Sequence, residues 1–273
     1  MEGRDRPYLV LFVLPALVFF AAFFLLPMAR LVAVGASGPG GAATYAAIIA
    51  TPRYFRSLVS TLVLSLLVTG TTLVIAGIAG VFLQRHRFPG RSPLVAMLTF
   101  PLAFPGVVVG FMVIMLAGRQ GVVGELSALA TGQKVVFAYS MAGLFVGYLY
   151  FSIPRVILTI MAAAEKLDAR LEEAARSLGA RPWHVVRDVL VPGLRPAIFS
   201  SGAICFATSM GAFGTAFTLA TEIEVLPMTI YTEFTLRANF AVAAALSIVL
   251  GVITWAGLAL ARTAAGSTVA ASA

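Results

Sequence analysis

The sequence predicts an all-α polytopic membrane protein, and three observations carry this prediction. First, the chain of 273 residues is 60% hydrophobic and 11% charged, whereas a soluble domain carries roughly 25% charged residues. Second, six apolar segments are long enough to cross a hydrocarbon core as helices, which takes about 20 residues each. Third, none of them has the alternating pattern of a barrel strand. We therefore predict a single membrane domain over residues 1–273, with six transmembrane helices.

The apolar segments give approximate bounds for these helices. The spans are predicted at about residues 8–34, 57–83, 93–117, 135–163, 197–220 and 239–261. The first has the charged start of a signal peptide, but its apolar core exceeds the usual length of about 7–15 residues, so we expect a retained helix. The third is the least regular, because Pro101, Pro105 and Gly106 interrupt it and prolines kink membrane helices.

The distribution of basic residues predicts the orientation. With six spans both termini share one side, which holds twelve of the Lys and Arg residues, while the other side holds six. Basic residues are enriched in cytoplasmic loops. We therefore expect both termini, and the loop over residues 165–195, to lie in the cytoplasm.

That loop concentrates the charge of the chain. Between Glu165 and Arg195 lie 11 of the 30 charged residues, with acids and bases mixed, whereas a helix resting on lipid headgroups is chiefly basic. Burying these charges in lipid would cost on the order of 30 kcal/mol on the per-residue insertion scale. The loop is therefore predicted to face water or another protein, as a docking surface.

The pattern within the loop predicts two short helices joined by a turn. Asp168 is a suitable N-cap for the first helix, and Gly179 ends it because glycine takes the left-handed conformation at little cost. Pro182 suits the first position of the second helix, which we expect to end at Pro192.

Helical periodicity also predicts which side chains share a face. The apolar positions of the two helices are Leu171, Ala174, Ala175, Leu178, Trp183, Val186 and Val189 or Leu190. Glu172 lies four residues before Arg176, with the acid first, which is the favourable order for an ion pair within a helix.

No catalytic, cofactor or metal site is recognisable in the sequence. The two lysines, Lys134 and Lys166, do not end a phosphate-binding loop of the form G-x-x-x-x-G-K. His86 and His184 lack metal-ligand spacing, and Cys205 is the only cysteine. We predict that the chain is not an enzyme, binds no cofactor or metal and has no nucleic-acid partner.

The positions of the charged residues relative to the predicted spans help to distinguish between classes of transport protein. All eleven acidic residues lie outside the predicted spans, whereas proton-coupled carriers commonly use intramembrane Asp or Glu. This counts against a self-contained secondary transporter or channel, which is kept as the alternative function. Apart from Arg30, which lies near the end of the first span and is counted with the outer side, Arg155 is the one charge inside a span, where a central arginine costs about 2.5–3.5 kcal/mol. Either its long side chain reaches the cytoplasmic interface, or it faces the interior of the helix bundle.

Residues 173–192 resemble the EAA signature of ABC-importer permeases. The triplet E-A-A is followed by three residues, Gly179, nine residues and then V-x-V-P, where the family has I-x-L-P. The resemblance implies that the loop is a coupling helix seated in a groove of a separate ATPase, which binds ATP and Mg. The residues implied to couple to the ATPase are Glu172, Glu173, Ala174, Ala175, Gly179, Ala180, Trp183 and Pro192.

The same resemblance implies partners and a location. The chain would be an inner-membrane permease that works beside a second permease, with a heterodimer favoured over a homodimer. An ABC ATPase dimer would drive it, an extracytoplasmic solute-binding protein would deliver the solute, and lipid would surround it.

The resemblance to one branch of the family suggests a solute. Residues 7–32 and 51–85 resemble the spermidine/putrescine branch, which also has relatives for thiamine, ferric iron and aminoethylphosphonate. A polyamine-like solute is therefore expected. Glu222, Glu224 and Glu233, in a predicted outer loop, would suit such a cation, although solvation or contacts with the binding protein explain outer acids equally well.

Overall fold

A computed structural model describes residues 6–38, 40–219 and 223–265. Within those ranges the chain forms helices joined by turns, without a β-strand. Six helical stretches there are long and apolar enough to cross a membrane: Phe12–Gly35, Pro52–Arg85, Gly106–Thr131, Met141–Lys166, Pro182–Met210 and Phe240–Ala265. The predicted all-α fold with six spans is thereby confirmed.

The helices follow one another along the chain with short connections. In chain order they are α1 (Arg6–Phe20), α2 (Leu26–Gly35), α3 (Ala43–Ala50), α4 (Pro52–Arg85), α5 (Arg91–Thr99), α6 (Gly106–Ala117), α7 (Val122–Thr131), α8 (Met141–Lys166), α9 (Ala169–Ser177), α10 (Pro182–Val185), α11 (Val191–Met210), α12 (Gly214–Leu219), α13 (Leu226–Tyr231) and α14 (Phe240–Ala265). Single π-helical turns occupy Ala21–Leu25, Val186–Leu190 and Thr232–Leu236, and a 3₁₀ turn occupies Phe100–Ala103.

The third predicted span, 93–117, is not one continuous helix. A 3₁₀ turn follows α5, the backbone is extended at Pro105 (ψ 152°), and α6 begins only at Gly106. Pro101 and Pro105 each lack the N–H that an α-helical ladder needs, so the helix cannot continue through them. By length and composition the third candidate span is Gly106–Thr131, which itself consists of two helices, α6 and α7, with extended backbone at Gly118 between them.

The described chain divides into two compact units. The first comprises Met1–Arg56 and Thr229–Gly251, and the second comprises Ser57–Met228 and Val252–Ala273. The second unit contains the charged loop and Arg155, and therefore most of the candidate functional residues.

Helix α8 forms the centre of the second unit, where it packs against α6, α11 and α12. Half of its most apolar window is buried, the largest share among the six candidate spans of the described residues. Glycines allow the close approach, since a methyl group on Gly147 would lie 2.8 Å from Thr215 Cγ2 and one on Gly110 would lie 2.6 Å from Thr218 Cβ. Small residues at helix contacts are the usual means of tight packing in membranes.

Polar side chains satisfy backbone groups where the helices of this unit are interrupted. The Tyr148 hydroxyl donates to the Ala212 carbonyl at 2.6 Å, between α11 and α12. Thr215 Oγ1 donates to the Gly106 carbonyl at 2.9 Å, at the start of α6. Irregular backbone within a membrane is tolerated only where it is buried in protein or lines a water-filled cavity, so these bonds support the helix breaks.

In the first unit, Glu233 is buried and paired with two arginines. Its carboxylate lies 3.4 Å from Arg53 Nη1 and 3.0 Å from Arg237 Nη1, and the residue is 1% exposed. A carboxylate neutralised in this way offers no uncompensated charge to a cationic solute, so the suggested use of Glu233 is wrong. Glu224 is exposed, and Glu222 lies outside the described residues.

Candidate functional site

The charged loop begins with the predicted N-cap. Asp168 is the N-cap residue of α9, and its side-chain oxygen accepts a hydrogen bond from the Arg170 N–H at 3.0 Å. This bond satisfies one of the four N–H groups that a helix start leaves without an internal partner. The predicted start of the first loop helix is confirmed.

The predicted glycine turn is confirmed as well. Gly179 adopts the left-handed conformation (φ +83°), its N–H donates to the Arg176 carbonyl at 2.9 Å, and the Ala180 N–H donates to the Ala175 carbonyl at 3.0 Å. These two bonds form a Schellman motif, which satisfies the last carbonyls of α9. Among the described residues, no atom lies within 4 Å of the position that a Cβ on Gly179 would take, so the backbone conformation rather than space requires glycine.

Glu172 pairs with Arg85 and not with Arg176, contrary to the sequence prediction. Glu172 Oε1 lies 2.7 Å from Arg85 Nη2, and the two side chains are 11% and 19% exposed. Arg85 Nη2 also donates to the Leu167 carbonyl at 3.1 Å. The end of α4 is therefore bonded both to α9 and to the turn that precedes it. Glu172, which the sequence grouped with the docking residues, faces inward.

The first loop helix, α9, packs against the rest of the second unit along one narrow edge. Glu172 is buried and Ala175 is half-buried, whereas the other seven residues of α9 are exposed. The predicted apolar face points outward, with Leu171 and Leu178 53% and 89% exposed. Packing on the edge that carries Glu172 follows from its pair with Arg85, which turns the leucines away.

Two features of the second loop helix differ from the prediction. It begins at Pro182 as expected, but Trp183 is exposed and the buried side chains are Val185 and Leu190. It also continues beyond Pro192, since α10, a π-helical turn and α11 form one uninterrupted helix. The Val191 N–H donates to the Val186 carbonyl, and this wider turn accommodates a following residue that has no N–H.

Exposed apolar and acidic side chains therefore form a surface on the loop. We define this docking surface as Leu171, Glu173, Ala174, Leu178 and Trp183, all of which are exposed. The Glu173 carboxylate makes no ion pair or hydrogen bond within the part of the chain that the structure describes. Exposed apolar groups beside an unpaired charge are typical of a surface that a partner covers.

Arg155 lies on the wall of a cavity of about 270 Å³ in the second unit. Across residues 6–38, 40–219 and 223–265 its guanidinium group has no ion-pair or hydrogen-bond partner. In the same ranges, no group of three or more His, Cys, Asp or Glu residues is arranged to hold a metal ion.

Replacing Gly179 with valine should open the turn between the two helices of the loop over residues 165–195. The left-handed conformation costs a residue with a side chain about 1–2 kcal/mol, so the Ala180 amide should exchange roughly 5- to 30-fold faster. Hydrogen–deuterium exchange of the purified protein measures this. Gly90→Val is the matched control, because Gly90 also has a positive φ (+89°) with no atom within 4 Å of its Cβ position, but lies outside the loop. Equal exchange of the Ala180 amide in wild type and Gly179→Val would contradict the role of the glycine.

Comparison with known proteins supports the signature found in the loop. Residues 72–265 match the sequence model of the family described as "Binding-protein-dependent transport system inner membrane component". The match covers more than two thirds of the chain and includes the whole charged loop. A crystal structure of a bacterial ABC transporter that imports the acidic polysaccharide alginate has the same fold, with a TM-score of 0.77, 18% identity and 96% of each chain covered.

Three curated relatives illustrate the range of the family. Sulfate permease 2 of the Chlamydomonas reinhardtii chloroplast is 32% identical over 72% of this chain, which covers 55% of that protein's own length. The Escherichia coli molybdenum transport system permease protein ModB is 34% identical over 62% of this chain and 76% of its own. The putative 2-aminoethylphosphonate permease protein PhnU of Salmonella typhimurium is 28% identical over 96% of this chain and 94% of its own.

These matches do not single out the spermidine/putrescine branch, but they establish the class of the protein. The absence of an enzyme activity and of a cofactor, predicted from the sequence, agrees with a family in which other subunits bind and hydrolyse ATP. The chain belongs to the binding-protein-dependent transport system inner membrane components, the multi-pass permease subunits of ABC importers.

Proposed function

We propose that this permease imports a small oxyanion and that the loop over residues 165–195 is where its ATPase binds. The observation that carries the coupling part is the combination of an exposed docking surface with an ion pair behind it. The docking surface is open to a partner, while Glu172 on the inner edge of the same helix is bonded to Arg85 on α4. A loop built in this way can receive force on one side and transmit it on the other.

Each residue of the signature has a definite part in this proposal. Glu173 pairs with a basic residue of the ATPase, and the exposed side chains of Leu178 and Trp183 fill an apolar groove. Ala174 and Ala175 are small enough to let the partner approach α9 closely. The remaining signature positions shape the loop: Gly179 and Ala180 form the turn, and Pro192 lies where the second loop helix passes into the span.

Two connections transmit the movement of the docking surface into the membrane. The second loop helix is continuous with α11, so a displacement of Trp183 is a displacement of the span itself. The Arg85–Glu172 pair joins α9 to the end of α4, and the Arg85–Leu167 bond joins α4 to the end of α8. Closure of an ATPase dimer would thus move several helices as rigid bodies, which is the usual form of such transitions.

The choice of an oxyanion rests on the relatives and on charge. Sulfate and molybdate are tetrahedral dianions, and a phosphonate group carries the same kind of negatively charged oxygens. The chain has a net charge of +8, and Glu233 is neutralised by two arginines. The polyamine suggested by the resemblance of residues 7–32 and 51–85 is the rival solute, and uptake of putrescine in place of an oxyanion would favour it.

The orientation and assembly belong to the same proposal. Both termini and the docking loop lie in the cytoplasm, as the basic residues indicate, and the chain acts as a single membrane domain. A second permease, which the resemblance implies is a different chain, completes the pathway. An extracytoplasmic binding protein delivers the solute from the opposite side.

Cysteine labelling should place a residue before α8 and a residue after α8 on opposite sides of the membrane. We expect Gln133→Cys and Arg181→Cys, each in a Cys205→Ala background, to react with an impermeant thiol reagent from outside and inside respectively. Gln133 and Arg181 are exposed, whereas Cys205 is buried. Labelling of both positions from the same side of sealed vesicles would contradict the proposed orientation.

Charge reversal at Glu173 should weaken ATPase binding more than truncation does. Glu173→Ala removes one partner of an interfacial ion pair, which typically costs about 2 kcal/mol or more, or roughly 30-fold in affinity. Glu173→Arg adds repulsion to that loss, so less ATPase should co-purify and stimulated hydrolysis should fall further.

The matched control is Glu125→Arg. Glu125 is also an exposed acid on a short helix, α7, but it lies outside the loop over residues 165–195. This variant should retain its ATPase and its stimulated hydrolysis. If Glu173→Arg kept both at wild-type levels, the docking role of the signature glutamate would be lost.

A further inference from the structure

The cavity beside Arg155 lies between the segment that precedes α6 and the helices α8, α11 and α12. Its wall includes the broken segment before α6, Phe151 and Arg155 of α8, Thr208 of α11 and Thr215 of α12. Its volume of about 270 Å³ is slightly below the roughly 300–1,000 Å³ of pockets that hold drug-sized ligands. A small solute with its water fits such a space.

Arg155 supplies an unpaired positive charge to this cavity. It lies 11 residues before the end of α8 at Lys166, or about 16 Å along the helix at 1.5 Å per residue. No carboxylate lies within ion-pair distance among the described residues, and the hydrogen bond recorded at this residue uses its backbone carbonyl, which accepts from Thr159. A charge in a span without a partner marks a functional position, because its cost must be offset by water or a ligand.

A second positive element faces the same space. Helix α6 begins at Gly106, which lines the cavity. The Val108 and Val109 N–H groups donate to the Pro105 carbonyl, and the N–H groups of Gly106 and Val107 have no carbonyl partner within the helix. Thr215 holds this start in place by donating to the Gly106 carbonyl. The N-terminal end of a discontinuous membrane helix carries a partial positive charge and stabilises anionic groups of a solute.

We infer that this cavity is a binding site for a tetrahedral oxyanion on its way through the membrane. The guanidinium group of Arg155 donates hydrogen bonds to the oxygens, in the bidentate geometry that suits sulfate, molybdate and phosphonate. The start of α6, where Gly106 also lines the cavity, contributes its dipole. The inference rests on the proposed oxyanion substrate and adds a place at which the permease itself selects charge.

The test compares variants of Arg155 in the complete transporter reconstituted in liposomes. Arg155→Gln should lower uptake of molybdate and sulfate about tenfold or more, by raising the concentration needed for half-maximal uptake, while ATPase retention stays normal. Arg155→Lys should recover part of the uptake, since it restores charge without the planar fork. Arg119→Gln, which removes an exposed arginine outside the cavity, should behave as wild type.

The outcomes separate this inference from the proposed function. If wild type imports molybdate or sulfate and Arg155→Gln imports it equally well, the cavity site is wrong and the oxyanion substrate stands. If wild type imports putrescine and no oxyanion, the proposed substrate fails, and the site fails with it.

A lipid phosphate has the same chemistry as the free anion, so a binding measurement distinguishes the two sources. Titration of the delipidated permease–ATPase complex with molybdate should show saturable binding in wild type and at least a tenfold weaker response in Arg155→Gln. Phospholipid that co-purifies with wild type but not with Arg155→Gln, together with an absence of molybdate binding, would assign the cavity to a lipid headgroup and overturn the inference.

Discussion

The ion pair between Arg85 and Glu172 is the constraint on which the position of α9, and with it the proposed docking of an ATPase, depends. It is largely buried, and removing one partner of a buried pair typically costs about 3–5 kcal/mol because the remaining charge has no compensation. It holds α9 on its narrow edge and so turns Leu171 and Leu178 outward. Without this bond, the docking surface could move without moving α4.

The second unit also contains the other elements on which the proposed function depends. In the proposed function, the loop contacts the subunit that hydrolyses ATP, and the uninterrupted helix from Pro182 to Met210 would carry its movement into the membrane. Glycine contacts hold α6 and α12 against α8, and the break before α6 leaves room for a cavity with a positive wall. Family membership removes the self-contained secondary transporter as an alternative, because the energy source lies in another subunit.

Local signals in the sequence were enough for the number of spans, the Asp168 cap, the Gly179 turn and the helix start at Pro182. Each of these depends on neighbouring residues or on hydropathy alone. The pairs Arg85–Glu172 and Arg53–Glu233 join residues far apart in the chain, and no local pattern identifies such partners. The sequence also did not predict that the helix continues through Pro192. A proline usually ends a helix because it has no N–H to donate, but the π-helical turn at Val186–Leu190 accommodates it.

Exchange of the two charges of the Arg85–Glu172 pair tests whether this pair transmits movement from the loop to α4. Arg85→Glu and Glu172→Arg are made singly and together, and substrate-stimulated ATP hydrolysis is measured in the reconstituted complex, with membrane insertion checked for each variant. We expect each single change to abolish most of the stimulation although the ATPase stays bound, and the double exchange to restore much of it. Single variants that insert normally and keep full stimulation would contradict the central role of this pair.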